Sequence, residues 1–327
     1  MNAHRSTEVF YTTDSGFVTP TLASIASLRR WHSSASLPIN VVLLGMNEPQ
    51  ILAFQELAAD LAVRVHEISK ESLTEFDNEN FNKTHVPYSA LARFLIPSLA
   101  RTDERSDILY VDGDTWFMQD PKELLDLAAP QVGLLACEDQ SFFYADDFGP
   151  TGKLVSAYFD AIGLDRSKGY FNSGVIKCRA SEWTRLSGEC LSFLRANLPI
   201  CRYHDQSALN AVAGGIRTRL SPVWNFQTPY WGWNVTDIAE PKLLHFIGGL
   251  KPWMGTLKAW SAIQPEYSDV IRARSHRLFP LKYWNDQEQL QFADQERRMA
   301  LKNRSIFLIR VARRRARFRN LVRTAIL

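Results

Sequence analysis

The most restrictive feature of this chain is the way its N-terminal part alternates short apolar runs with amphipathic stretches. Glu8-Val9-Phe10-Tyr11-Thr12-Thr13 has strand length and β propensity, Ile39 to Leu44 is a second such run ending at Gly45, and Val63 to Ile68 is a third. Between them lie segments with a helical apolar period, Leu22, Ile25, Ala26 and Leu28 in one and Ile51, Phe54, Leu57, Ala58 and Leu61 in the other. Thr19 is expected to cap the first helix, with Pro20 in its first turn, and Asn47 to cap the second. Strands joined through helices pair in parallel by right-handed crossovers. The expectation is therefore an α/β fold with a mostly parallel sheet flanked by helices, in which ligands sit outside the carboxyl ends of the strands.

Ile108-Leu109-Tyr110-Val111 is a charge-free run of the same kind that ends abruptly in Asp112-Gly113-Asp114. Two carboxylates at such a rim suit a hard cation, Mg²⁺ or Mn²⁺, which keeps positions for substrate phosphates. A solvated turn has the same local sequence, so both readings stay open on this motif alone. Tyr88 to Ile96 reads as a helix stopped near Pro97, with Arg93 among apolar neighbours as either a snorkelling side chain or a charge that must meet an anion. A strand over Val132 to Ala136 delivers Glu138 and Asp139, Asn172 heads another, and Asp205 is expected as N-cap of a helix with Gln206 in its first turn. The aromatic-rich stretch from Val223 to Trp233 fits either core or a sugar-stacking surface. Lys242 to His245 is a strand ending in a core histidine or a metal ligand. Directly after it, Gly248 lets backbone N–H groups approach a phosphate and Lys251 adds a point charge. Two carboxylates, an imidazole and a lysine describe a site for a metal-bound diphosphate.

A chain of 327 residues, 46% apolar and 22% charged, can bury a sizeable core, which excludes disorder throughout. Cys137, Cys178, Cys190 and Cys201 lack the spacing of a zinc or redox motif and are expected to be reduced structural thiols. The polar start Met1 to Glu8 leads straight into a strand and no apolar run has transmembrane length, so a cytoplasmic protein is expected. The net charge of +3 averages two unlike regions. After Glu296 there are eleven basic residues and no acid, which leaves the preceding 296 residues with 27 basic against 35 acidic side chains, a net of −8.

In their order along the chain, VFYTTDSGF, YSALARFLIP, DILYVDGDTWFMQDPKEL, YFNSGVI, YHDQSALNAV and HFIGGLKPW resemble the motifs of glycosyltransferase family 8, over roughly Val9 to Trp260. The resemblance implies a GT-A fold over residues 1–260, a UDP-hexose donor carrying galactose or glucose, and Mn²⁺ or Mg²⁺ bound by Asp112, Asp114 and His245. It places Asp14 and Phe17 at the uracil, with Phe where the family usually has Tyr. It places His85 and Arg93 at the donor sugar, Gly248 and Lys251 at the diphosphate, and Asp139, Asn172, Asp205 and Gln206 around the transferred sugar and the acceptor. Arg93, Asp205 and Gln206 then form the catalytic group. Two positions depart from the pattern: Gly113 in the middle of the acidic motif, where a glycine is expected to loosen the loop slightly, and Ser207, where some relatives have a second acid.

The family likeness further implies transfer with retention at the anomeric carbon. Gln206 is a poor nucleophile, so the reading favours a front-face route in which UDP leaves before the acceptor hydroxyl adds on the same side. Residues 261–296 are expected to form a helical extension and 297–327 a basic amphipathic tail whose stripe of Phe307, Val311, Phe318 and Val322 lies on an anionic membrane surface. A lipopolysaccharide or other glycolipid acceptor fits that location, and no specific nucleic-acid partner is expected. The competing functional class is a UDP-sugar-binding or self-glycosylating protein with little turnover on an external acceptor.

Overall fold

The computed structural model describes residues 6–33, 36–76, 88–99, 106–255, 261–302 and 304–327, without the side chains of 88 and 295–307. Its strands are β1 (Thr7–Thr13), β2 (Ile39–Leu44), β3 (Arg64–Ile68), β4 (Asp107–Val111), β5 (Thr115–Phe117), β6 (Leu135–Glu138), β7 (Phe171–Arg179), β8 (Thr218–Arg219), β9 (Phe226–Gln227) and β10 (Leu243–His245). The helices are α1 (Val18–Arg29), α2 (Glu48–Leu57), α3 (Ile96–Leu99), α4 (Lys122–Asp126), α5 (Gln140–Tyr144), α6 (Pro150–Ala161), α7 (Ala180–Asn197), α8 (His204–Ala213), α9 (Gln264–Ala273), α10 (Asp286–Lys302) and α11 (Arg304–Thr324).

Seven strands form one sheet in the order β3-β2-β1-β4-β7-β6-β8, and β5-β10-β9 form a second. In the large sheet every pairing is parallel except those β7 makes with β4 and β6. The expected α/β architecture with a mostly parallel sheet is therefore observed. Strand side chains alternate between faces: Val9, Tyr11, Val41, Leu109 and Val111 join Leu22, Ile25 and Leu28 of α1 on one side. Phe10, Val42, Tyr110 and Ile176 join Trp183, Leu186, Cys190 and Leu194 of α7 on the other. Burial on both faces explains why these strands read as continuous apolar runs.

Local readings differ from the structure in instructive places. Asn47 caps α2 as expected, in a reciprocal box with Gln50. Thr19 does not cap α1, which begins at Val18 with no side-chain cap; its hydroxyl instead donates to the Arg274 carbonyl at 3.3 Å, at the end of α9. Tyr88–Leu95 is a 3₁₀ helix, and Pro97 does not stop the segment but lies in the first turn of α3, where its missing N–H costs nothing. The strand expected from Val132 begins only at Leu135. Asp205 is not an N-cap, because α8 starts one residue earlier at His204, which adopts a left-handed φ of 36°. Trp224, Phe226, Tyr230 and Trp233 are buried, so the aromatic stretch is core.

The basic C-terminal segment folds back onto this body as α11. Phe318 is fully buried against Phe226 and Tyr230, and Val311 and Leu321 are buried beside it. Arg314 pairs with Asp147 and stacks over Tyr144, Arg315 pairs with Asp237, and Arg317 pairs with Asp146 over Phe142. Ile326 bridges to Leu220 at the edge of the sheet. Val311 and Phe318 of the expected membrane stripe thus meet protein instead, since buried aromatic surface gains as much from an aromatic cluster as from lipid and the acidic body attracts the arginines. The side chain of Phe307 lies outside the described residues. Among the described residues, no helix is long and apolar enough to cross a membrane.

Candidate active site

The site assembles at the carboxyl end of β4, where the chain leaves the large sheet and turns into β5. Asp112 follows the last residue of β4, its N–H held by the Gly174 carbonyl at 2.8 Å, and its own carbonyl accepts the Thr115 hydroxyl at 2.9 Å. This turn carries Asp114 to the small sheet, where β10 pairs antiparallel with β5 in the register Thr115 to His245. Residues 130 positions apart thereby become neighbours. His245 Nε2 lies 3.6 Å from Asp112 Oδ2 and 3.3 Å from Asp114 Oδ1. One ligand atom from each of the three residues falls within 4.8 Å of the others.

The donor set and the space around it fit a divalent cation. Two carboxylate oxygens and one imidazole suit Mn²⁺ or Mg²⁺ better than a thiol-seeking metal. The backbone leaves room for them: a Cβ on Gly174 would lie 2.2 Å from His245 Cε1 and 2.6 Å from Asp112 Oδ2. Gly113 also answers to space rather than to loop freedom, since a Cβ there would lie 2.2 Å from Thr21 Oγ1, a hydroxyl held by the Phe17 carbonyl at 2.8 Å. Lys251 Nζ reaches Asp114 Oδ2 at 2.5 Å and the Phe246 carbonyl at 2.6 Å. Burial pushes the Asp114 carboxyl up, but Lys251 and His245 outweigh it and hold the group well below the usual carboxylate range.

Arg93 resolves its two open readings by meeting carboxylates. It is 3% exposed, its Nη2 donates to Asp112 Oδ1 at 2.9 Å and its Nη1 lies 3.1 Å from Asp205 Oδ2. Its remaining bonds go to the Ser173 and Ala90 carbonyls, and its guanidinium stacks 4.2 Å over the Tyr110 ring. Burial disfavours the charge, and Asp205, Tyr110 and Asp112 more than compensate, so Arg93 stays protonated. Asp205 is itself pushed up by burial despite Arg93.

A second group of polar side chains is buried beside the first. Asn172 Nδ2 donates to Asp139 Oδ2 at 2.9 Å and to Gln206 Oε1 at 3.2 Å. Gln206 Oε1 also accepts the Ser173 N–H at 3.1 Å, and its Nε2 donates to the Tyr170 hydroxyl at 3.2 Å. Asp139 caps α5 through the Ser141 N–H at 2.8 Å. Ser207, where a second acid stands in some relatives, bonds Tyr158 at 2.7 Å and accepts the Tyr203 N–H at 2.9 Å.

Of the loop residues, Phe17 packs edge-on against Trp253 at 5.6 Å and lies 5.9 Å from Lys251 Nζ, which brings two distant loops to one mouth. Asp14 stays within its own turn, its carboxylate accepting the Gly16 N–H at 2.9 Å. Gly248 has φ +83° and open space beside its α-carbon. His85 lies outside the described residues. Sequence reading missed Asn225, Ser173 and Gly174, whose side chains or lack of one hold the named residues in place. The signal for Asn225 was an amide flanked by Trp224 and Phe226, a polar group that burial obliges to find partners.

The profile described as "Glycosyl transferase family 8" matches residues 8–256. General stress protein A of Bacillus subtilis (strain 168) is 26% identical over 192 residues, which span 54% of this chain and 62% of that relative, less than two thirds of its length. Among solved structures, the galactosyltransferase LgtC in complex with donor and acceptor sugar analogues superposes with a TM-score of 0.67 at 18% identity, covering 87% of this chain and 99% of that one. The bifunctional glycosyltransferase WbbM in its apo form superposes with a TM-score of 0.61 at 18% identity, over 90% of this chain and 52% of that one. The apo form of GlyE from Streptococcus pneumoniae gives 0.56 at 17% identity, over 82% and 62%. At these identities the structural likeness is one of fold.

Proposed function

The chain belongs to glycosyl transferase family 8, and from that premise we propose that it moves a hexose, galactose or glucose, from a UDP-sugar to a saccharide acceptor with retention of anomeric configuration. The observation that carries this reading is the meeting of Asp112, Asp114 and His245 from two separate sheets, with Lys251 in contact with the same carboxylate. Asp112, Asp114 and His245 would hold Mn²⁺ or Mg²⁺, which would supply charge neutralisation for the diphosphate. Lys251 turns from Asp114 toward the same phosphates, and the N–H groups around Gly248 approach them closely. Phe17 offers its face to the uracil beside Asp14. Arg93 holds Asp112 and Asp205 in fixed positions, so that the metal ligand and the sugar-facing carboxylate cannot drift apart.

Asp205 and Gln206 favour the front-face route. Asp205 Oδ2 is engaged by Ser173 and Arg93, and Gln206 Oε1 by Ser173 and Asn172. Neither is a free nucleophile, and each is placed to orient the sugar with Asn172 and Asp139. The acceptor hydroxyl adds on the face that UDP leaves, and a phosphate oxygen of the leaving group takes its proton. A thermal-shift panel of nucleotide sugars with Mn²⁺ names the donor, and release of UDP with and without glycan acceptors separates transfer from self-glycosylation. Stabilisation by ADP-sugars in place of UDP-sugars would overturn the donor assignment.

For the acceptor we propose a lipopolysaccharide or related glycolipid met at an anionic membrane surface on the cytoplasmic side. The part of α11 that is not packed against protein supports this: Leu308 and Ile309 are exposed, and Arg310 and Arg313 lie around the exposed Phe148. Leu308→Glu combined with Ile309→Glu should abolish cosedimentation with anionic vesicles while leaving the packed face of α11 intact. Unchanged cosedimentation would contradict the proposal.

A further inference from the structure

Asn225, fully buried just before β9, lies between the metal-ligand group and the sugar-side group and bonds to both. The direction of those bonds follows from a backbone donor whose identity is not in question. The Gly174 N–H donates to Asn172 Oδ1 at 2.9 Å, and Asn172 Nδ2 faces the Asp139 carboxylate, an acceptor only; both fix which end of the Asn172 amide is oxygen. Asn225 therefore presents its Nδ2 to Asn172 Oδ1, at 2.9 Å, and its Oδ1 to His245 Nδ1, at 2.8 Å. An amide oxygen can only accept, so His245 Nδ1 carries a proton, and Nε2 is the ring nitrogen that faces Asp112 and Asp114.

We propose that Asn225 is a positioning residue that sets the tautomer and ring orientation of His245 for metal binding and couples that ligand to the side chains that hold the transferred sugar. The relay runs from His245 through Asn225 to Asn172 and from there to Asp139 and Gln206. Its two halves are separable, because the oxygen of Asn225 serves the metal ligand and the nitrogen serves Asn172. Partners behind a ligating histidine commonly contribute roughly 10–100-fold in metal affinity. The inference rests on the reading of Asp112, Asp114 and His245 as metal ligands.

The test uses the full chain without any sugar. Mn²⁺ is titrated calorimetrically into wild type, Asn225→Asp and Asn225→Leu, with a melting curve for each protein. Asn225→Asp keeps an acceptor for the Nδ1 proton and should bind Mn²⁺ within about threefold of wild type, whereas Asn225→Leu should bind roughly 10–100-fold more weakly. Asn225→Asp places an acceptor against Asn172 Oδ1, so its turnover should fall at saturating Mn²⁺ although its metal affinity does not. Should Asn225→Leu fail to fold, ¹⁵N spectroscopy of the wild-type histidines decides: the His245 resonance, identified by its broadening with Mn²⁺, should show a proton on Nδ1. A wild type that binds no Mn²⁺ would overturn the metal reading and this proposal with it. A wild type that binds Mn²⁺ while Asn225→Leu binds equally well, or a His245 with no proton on Nδ1, would overturn this proposal alone.

Discussion

Gly174→Ala adds one methyl group to a wall of the candidate metal site and should disable it. Gly174 is buried in β7, its N–H fixed to Asn172 Oδ1 and its carbonyl to the Asp112 N–H, so the backbone cannot retreat without breaking both bonds. The new Cβ would lie 2.2 Å from His245 Cε1, 2.6 Å from Asp112 Oδ2 and 2.9 Å from His245 Nδ1. Carbon atoms pack at about 3.5–4.0 Å, so the imidazole must shift by more than about 1 Å, with Asn225 blocking the ring on its Nδ1 side. Metal sites tolerate ligand displacements of only about 0.2 Å. The expected result is at least a roughly 100-fold loss of Mn²⁺ affinity, about 2.7 kcal/mol, together with about 1–3 kcal/mol of global destabilisation from overpacking. Calorimetric Mn²⁺ titration checks the first and urea unfolding the second. Gly188→Ala is the control, since nothing lies within 4 Å of its Cβ. A folded Gly174→Ala protein with wild-type Mn²⁺ affinity would refute the placement of the ligands.

Other perturbations probe separate parts of the account. Asp114→Asn should abolish metal-dependent turnover while the protein still melts cooperatively; near-normal activity would show that the carboxylate is not a ligand. Lys177, buried with its ammonium on Thr7 and the Leu124 and Leu125 carbonyls, has its pKa lowered by burial from 10.5 to about 8. Between those values the unfolded chain holds a proton that the folded chain lacks, so stability rises with pH across that window, and below about pH 8 the full cost of about 3 kcal/mol applies. Urea unfolding of wild type and Lys177→Met should therefore show the wild type gaining on the variant from about pH 8 to 10.5, whereas a constant difference would be a contradiction. All four cysteines are buried and free, and burial pushes the Cys201 thiol up to about 12, so native protein should be inert to thiol reagents until unfolded. Arg314→Ala leaves Asp147 buried without its partner and should cost about 3 kcal/mol by urea unfolding, against little change for Arg319→Ala on the exposed side.

The parallel sheet was legible because β1, β2 and β4 are buried on both faces, and such strands leave an uninterrupted apolar signature. The acidic rim was legible for the same reason, since Asp112 and Asp114 stand where that signature stops. His245 could be named from its motif, but its distance from the carboxylates depends on the antiparallel pairing of β5 with β10, which no local pattern encodes. Arg93 and Asp205 illustrate a different limit: one looked unplaced and the other looked like a helix cap, and each found its role in the other through a contact across 112 positions of sequence. The packing of the tail was not legible because an amphipathic basic helix has the same composition whether its apolar side meets lipid or a cluster of buried aromatics. Asn225 lay outside every motif, and Gly174 lay inside YFNSGVI without a legible role, since one acts by holding a neighbour and the other by having no side chain.

The central claim is a diphosphate clamp whose grip depends on a cation held by Asp112, Asp114 and His245. Its most direct test is calorimetric titration of UDP into the protein with Mn²⁺ and again with EDTA. Binding that appears with Mn²⁺ and vanishes with EDTA is the result this account predicts; UDP binding of equal strength in both conditions would contradict it.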